Sequence, residues 1–352
     1  MNIERSQEVL GLGEHTASCK NAWSISGSIG CNRRFSCGLF ADIFGGNLAC
    51  ILKSRDPTGD CESEITLENT YVCHWHLHPD LYDSLCGYLT KNSGAVVVSV
   101  GYRLAPEHRC PAAFDDCLKA TVHFLKTAQE HGVDPSSVII CGDSAGGNLT
   151  AGVCQCLVGI ADIPKPLAQV MIYPALQIAD FNVPSYEQNK MVPLLLRERA
   201  VYCAIMYIGA DLSLSKEMIK GSHVTPEVRE KLNKWLSSEE FQVKGYKPHI
   251  MAPFNKGVYE KVKKSLELPC SPLFSDDAVI RQLPKAYILT CEFDVLRDDG
   301  ILYKKRLEDN GVPVTWFHVK DGFHGIFTLF DQPEVVSGKL AMDNVITYIK
   351  NL

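Results

Sequence analysis

Apolar runs and amphipathic segments alternate through the middle of the chain. Ala95–Val100 is a nearly continuous run of β-branched residues, which is typical of a strand buried on both faces of a parallel sheet. Apolar positions then recur at helical spacing over residues 114–128. Two further apolar runs, Val138–Cys141 and Ala168–Tyr173, predict the next strands. Strands that alternate with helices indicate βαβ units and an open, mostly parallel sheet flanked by helices, so the predicted fold class is α/β.

The pattern changes on either side of this region. Residues 181–268 are rich in Lys, Glu, Pro and Trp with helical pieces, which predicts a helical cap inserted between sheet strands, or else a surface excursion without a role. The strand pattern returns at Ala286–Cys291 and Val314–Val319. Residues 1–80 show weak periodicity and no confident strand, so we expect a poorly defined N-terminal region followed by one α/β domain over 81–352.

One strand leads directly into a serine. Val138–Cys141 runs into Gly142-Asp143-Ser144-Ala145-Gly146, and a helix-compatible segment follows. This is the context of a nucleophile elbow, a sharp strand-to-helix turn that presents a serine hydroxyl above the sheet. The serine backbone is strained in such a turn, and side chains at positions 142 and 146 would collide with the neighbouring strand and helix. The pattern favours a nucleophilic Ser144 over an ordinary turn serine.

A serine nucleophile needs a base, and the base needs a carboxylate to orient it. In α/β-hydrolases the order along the chain is serine, acid, histidine, each after a strand. His324, flanked by Gly322 and Gly325, follows the strand that ends at Val319, and we predict that it is the base. Position alone does not choose among the acids after Cys291, which are Glu292, Asp294, Asp298 and Asp299.

Five segments resemble the hormone-sensitive-lipase branch of the α/β-hydrolases, in particular the arylacetamide deacetylase group. The resemblance implies an α/β-hydrolase fold with an inserted cap, with Asp294 as the triad acid and Asp298 as the fallback. It also implies a serine carboxylesterase or deacetylase that acts on esters or aryl amides of small lipophilic substrates, and a structural role for Arg103 and Glu107. The matching segments are Tyr102–His108, Pro111–Asp116, Gly142–Gly147, Asp294–Gly300 and Asp321–Gly325.

The chain departs from this family ahead of the first buried strand. The family carries H-G-G-G there, whose backbone N–H groups form part of the oxyanion hole. Here the corresponding segment is Tyr71–Asp80, and no glycine occurs between Gly59 and Gly87. The backbone N–H of Ala145 is the donor that the elbow still offers. Losing one such donor costs about 10²–10³ in turnover. A hydrolase-like protein that binds apolar ligands or partners without efficient turnover is therefore the alternative.

Composition limits the classes of partner and the cell compartments that we expect for this chain. The 352 residues carry 35 Lys and Arg against 41 Asp and Glu, a net charge of −6 with no long basic run, so nucleic acid is not an expected partner. Most of the 15 cysteines lie in apolar runs and are predicted to be buried free thiols, with one or two disulfides left open as an alternative. No apolar segment is long and uncharged enough to span a bilayer. These features favour a cytoplasmic location, whereas the resemblance implies the endoplasmic reticulum membrane. No pattern indicates an oligomeric state.

No cofactor motif is present. Walker and Rossmann glycine patterns are missing, so no nucleotide cofactor is expected. Three alternating histidines, His74, His76 and His78, invite a metal site, but no companion ligand motif occurs and a solvated or packed histidine strip is favoured. Asn148-Leu149-Thr150 matches a glycosylation sequon, yet it falls in the predicted elbow helix and is expected to be buried.

Overall fold

A single mixed sheet organises the chain. The structure, a computed structural model, describes residues 48–54, 79–236, 251–267 and 269–352. The strands are β1 (Leu48–Ser54), β2 (Ala95–Val100), β3 (Val133–Asp143), β4 (Ala168–Ile172), β5 (Lys285–Phe293) and β6 (Val314–Phe323). Their order is β2-β1-β3-β4-β5-β6. The strands from β3 to β6 pair in parallel, whereas β1 pairs antiparallel with both of its neighbours.

The α-helices of the described residues connect these strands and cover the sheet. They are α1 (Pro79–Ser93), α2 (Ala112–Thr127), α3 (Ala145–Leu157), α4 (Pro184–Gln188), α5 (Arg197–Ile208), α6 (Ser215–Ile219), α7 (Pro226–Leu236), α8 (Lys256–Val262), α9 (Asp277–Ile280), α10 (Arg297–Asp309) and α11 (Val336–Lys350). The predicted α/β fold class is confirmed, and within the described ranges no helix is both long and apolar enough to cross a bilayer.

Alternation along the inner strands places one core on each face of the sheet. On β3, Val138 and Ile140 belong to the core that contains α2, α3 and α10, whereas Ile139 and Cys141 belong to the core that contains α1 and α11. Because successive side chains of a strand point to opposite faces, a strand covered on both sides must be apolar at every position. This explains why the inner strands are continuous apolar runs rather than alternating ones.

Strand β1 was not anticipated. The weak periodicity before residue 80 predicted no strand, yet Leu48–Ser54 lies between β2 and β3 and separates them. β2 and β3 therefore run in the same direction without pairing, although they are consecutive elements of the predicted βαβ pattern. The mostly parallel character of the sheet, which the sequence predicted, is retained.

The chain between β4 and β5 builds a third core on top of the sheet. This segment contains α4 to α9 and is called the β4–β5 insertion below. Phe181, Val201 and Val258 of the insertion pack in one cluster with Cys110 and with Leu296, which follows β5. The insertion thus contacts the segment that precedes α2 and the loop that follows β5, and both lie at the carboxyl edge of the sheet. The cap boundaries of 181–268 stay a prediction.

Candidate active site

The turn between β3 and α3 holds Ser144 in a strained conformation. Its φ of 55° and ψ of −116° are unusual for a residue with a side chain. The turn closes tightly, because a Cβ atom at Gly142 would stand 2.2 Å from the Gly146 carbonyl oxygen. A Cβ at Gly147 would stand 2.6 Å from Pro174 Cβ. The small residues of the motif are therefore required by the close approach of strand, turn and helix.

Ser144 and His324 are brought together across 180 residues of sequence. Ser144 Oγ lies 2.9 Å from His324 Nε2, and His324 Nδ1 lies 2.9 Å from Asp294 Oδ2. All three residues are at most 3% exposed. The bond to the carboxylate makes Nδ1 the donor, so Nε2 is the acceptor in its bond with the serine hydroxyl.

The four acids at the end of β5 and in the segment that follows have different partners in the structure. Asp294 Oδ1 accepts a bond of 2.9 Å from the Leu296 N–H while its other oxygen faces His324. Glu292 points instead to His318 and Arg297. Among the four acids, Asp294 is the one that the structure places against His324.

The remaining two acids after β5 hold the β4–β5 insertion. Asp298 accepts bonds from the Arg297 guanidinium and from the Ser185 N–H. Asp299 is fully buried and accepts bonds from the Leu176 N–H and the Gln177 amide. Burial raises the pKa of Asp299 well above its usual range, since no solvent stabilises its charge.

Tyr173 and Asp143 support the site, and the sequence interpretation gave them no role. The Tyr173 ring lies 4.8 Å from the His324 ring, centroid to centroid, and its hydroxyl donates to Asp143 Oδ2 at 3.3 Å. Burial, together with the charge of Asp143, raises the pKa of Tyr173 well above its usual range, so the phenol stays protonated. The signal available in the sequence was a tyrosine at the end of a predicted strand.

A pocket opens beside Ala145 between the elbow helix and the β4–β5 insertion. Its walls include Ala145 and Leu149 of α3, Phe181, and Ala204 of α5. Gln177 also reaches this pocket, but both of its amide atoms are engaged with the Asp180 backbone and other partners. The walls therefore present mainly hydrocarbon to a ligand.

Arg103 and Asn148, which the sequence analysis also singled out, bond to groups outside the Ser144, His324 and Asp294 arrangement. Arg103 makes two bonds of 2.8 Å with Asp116, in agreement with a structural role. Asn148 of the sequon is buried, as expected, and donates to the carbonyls of Ala175 and Cys270.

The segment Tyr71–Asp80 enters the description only at its last two residues, which begin α1. The three histidines at 74, 76 and 78 and the region that corresponds to H-G-G-G lie outside the described residues. Among the residues that are described, no group of three or more His, Cys, Asp or Glu side chains could hold a metal ion.

The chain is similar in sequence and in structure to known proteins. The sequence profile of a family described as alpha/beta hydrolase fold matches residues 73–224 and 226–328. The chain is 45% identical over 280 residues to human arylacetamide deacetylase-like 4, covering 78% of this chain and 69% of that protein. It is 40% identical over 279 residues to neutral cholesterol ester hydrolase 1 of Pongo abelii, covering 76% and 68%. Among solved structures, the Pyrobaculum calidifontis esterase matches with a TM-score of 0.53 at 26% identity, covering 77% of this chain and 70% of that one.

Proposed function

The chain belongs to the α/β-hydrolase fold family, and we propose that it acts in that family as a serine hydrolase that cleaves carboxylic esters or aryl amides of small lipophilic substrates. One observation carries the proposal. A strained, buried serine is hydrogen-bonded to a histidine whose other nitrogen is bonded to a buried carboxylate. Such an arrangement is a nucleophile, its base and the group that orients the base.

The mechanism assigns one step to each residue. Ser144 Oγ attacks the substrate carbonyl carbon while His324 Nε2 takes the hydroxyl proton. Asp294 holds the Nδ1–H tautomer and stabilises the imidazolium that forms. The Ala145 N–H, at the start of α3, donates to the oxyanion of the tetrahedral intermediate, because the first N–H groups of a helix have no partner within it. His324 then protonates the leaving alcohol or amine, and water releases the acyl group by the same route.

The pocket and the relatives support the substrate class. The mainly hydrocarbon-lined pocket beside Ala145 suits a lipophilic acyl or alcohol group. The relatives are named as a deacetylase-like protein and a cholesterol ester hydrolase, so their names also point to ester and amide bonds. Apolar burial rather than charge would then provide the affinity.

Active-site labelling tests the proposal. A fluorophosphonate probe should label the full-length chain, and Ser144→Ala should abolish both the labelling and the hydrolysis of an aryl acetate. Ser136→Ala is the matched control, because Ser136 is exposed and bonds only locally to Asp134 in the structure. A folded wild-type protein that is neither labelled nor active would refute the proposal.

The alternative is a binding protein with little turnover, and the lack of any glycine between Gly59 and Gly87 favours it. The same experiment separates the two functions. Labelling that depends on Ser144, with aryl acetate hydrolysis at the rate of the uncatalysed reaction, would support the alternative. Hydrolysis that depends on Ser144 supports the enzyme.

A further inference from the structure

Two cysteine thiols that are 160 residues apart meet at the wall of the pocket. Cys110 Sγ lies 2.9 Å from Cys270 Sγ. The two residues are 8% and 1% exposed, and Cys270 lines the pocket beside Ala145. The sulfur atoms are thus held closer than ordinary van der Waals contact, and one of the two residues lies in the pocket wall.

Separate parts of the fold hold the two cysteines. The Cys110 N–H donates to the Tyr207 carbonyl of α5 at 2.7 Å. The Cys270 carbonyl accepts from the Asn148 amide of α3 at 3.1 Å, and its N–H donates to the Glu267 carbonyl at 2.8 Å. Because both backbones are fixed, the proximity of the sulfur atoms is a property of the fold and not of a flexible loop.

The two thiols are chemically unequal. The contact with the Cys270 thiol lowers the pKa of Cys110 although burial opposes this. The same contact, together with burial, raises the pKa of Cys270 well above its usual range. Cys110 is therefore the thiol that more readily becomes a nucleophilic thiolate, and Cys270, 2.9 Å away, is near enough to resolve the product.

We propose that Cys110 and Cys270 form a reversible cross-linking site that takes a small-molecule disulfide, such as oxidised glutathione, as its oxidant. The Cys110 thiolate attacks one sulfur of the oxidant, which forms a mixed disulfide and releases one thiolate. Cys270 then loses its proton and attacks the Cys110 sulfur, which closes the protein disulfide and releases the second thiol. Two protein thiols are oxidised and one small disulfide is reduced to two thiols, so the step balances.

Cys110 keeps 8% of its surface exposed to the oxidant, and Cys270 lies in the wall of the pocket. The bond would join the segment before α2 to the last part of the insertion, across 160 residues of sequence. A cross-link over so long a loop restricts the unfolded chain and raises the temperature of unfolding. Neither sulfur belongs to the Ser144, His324 and Asp294 arrangement, so cross-linking does not require the proposed hydrolysis.

Mass spectrometry of the folded full chain tests the site. After incubation with oxidised glutathione, we expect two fewer alkylatable thiols and a cross-linked pair of tryptic peptides, residues 110–119 and 265–281. Fragment ions must assign the bond to Cys110, because the first peptide also contains Cys117. The oxidised protein should unfold at a temperature several degrees higher, and dithiothreitol should reverse both changes.

Matched variants make the test specific. Cys270→Ser should retain glutathione on Cys110 as a mixed disulfide. Cys203→Ser should cross-link as the wild type does, since Cys203 lines the same pocket and burial raises its pKa to about 12. Ser144→Ala should also cross-link fully, which separates this site from the hydrolase. Folded wild-type protein that keeps both thiols alkylatable, or that joins Cys270 to another cysteine, would overturn the proposal.

Discussion

Replacing Asp294 by asparagine isolates the contribution of one carboxylate charge. Asp294 Oδ2 lies 2.9 Å from His324 Nδ1, and both side chains are buried. Asparagine keeps the size of the side chain but removes the charge that stabilises the imidazolium. At an effective dielectric constant of about 20, two unit charges at this separation attract by about 6 kcal/mol. Since each 1.36 kcal/mol is tenfold in rate, we expect kcat for an aryl acetate to fall by about 10⁴.

Asp298→Asn is the matched control for this experiment. Asp298 is equally buried and four residues away, but it accepts bonds from Arg297 and from the Ser185 N–H instead of facing the histidine. Its substitution should leave kcat within about tenfold and lower the free energy of unfolding by about 1–3 kcal/mol, because a buried donor loses its partner.

Steady-state kinetics and urea denaturation of both variants provide the readouts. The expected pattern is a fall in kcat confined to Asp294→Asn and a fall in stability that is greater for Asp298→Asn. Retention of more than a tenth of wild-type kcat by Asp294→Asn would refute the assigned role. Equal losses of kcat in the two variants would mean that the loop as a whole, rather than one charge, matters.

Three further substitutions test the surroundings of the site. Gly142→Ala places a Cβ 2.2 Å from the Gly146 carbonyl, so urea denaturation should show a loss of about 3 kcal/mol, and wild-type stability would contradict this. Tyr173→Phe keeps the ring against His324 but loses the bond to Asp143, so kcat should fall less than tenfold. Burial lowers the pKa of His223 from 6.5 to about 4. As the pH drops from 7 to 5, His223 therefore binds a proton in the unfolded chain before it does so in the folded chain. The free energy of unfolding falls as a result. Urea denaturation at pH 7 and pH 5 should show that His223→Gln reduces this fall by about 2 kcal/mol. A fall equal to that of the wild type would refute the assignment.

Most of the strands could be predicted because their signal is local. A strand buried on both faces is apolar at most positions, and Val138–Cys141 and Ala286–Cys291, the latter with Thr290 as its polar residue, show this without reference to the rest of the chain. The position of β1 could not be predicted in the same way. Its pairing with β2 and β3 depends on residues 42 to 94 positions away in sequence, and the five apolar residues Leu48–Leu52 do not indicate which strands they pair with.

Within the candidate site, too, residues that belong to local motifs could be predicted and contacts between distant residues could not. Ser144 and His324 were identified from motifs in which the residues are neighbours in sequence, and the structure places their side chains 2.9 Å apart. The Cys110 and Cys270 pair has no such motif, since each cysteine is one of 15 and the contact exists only once the fold is formed.

The sequence by itself determined the parallel strands from β3 to β6, the strained serine turn and the loop that carries the histidine. These features depend on backbone periodicity and on small residues at fixed offsets. The tertiary structure decided which acid faces His324, because the end of β5 directs Glu292 toward His318 and the loop that follows turns Asp294 toward the imidazole. Orientation over a few ångströms is set by packing between distant segments, such as the bonds from Asn189 of the insertion to the carbonyls of Glu292 and Asp294. Spacing along a chain contains no record of such contacts.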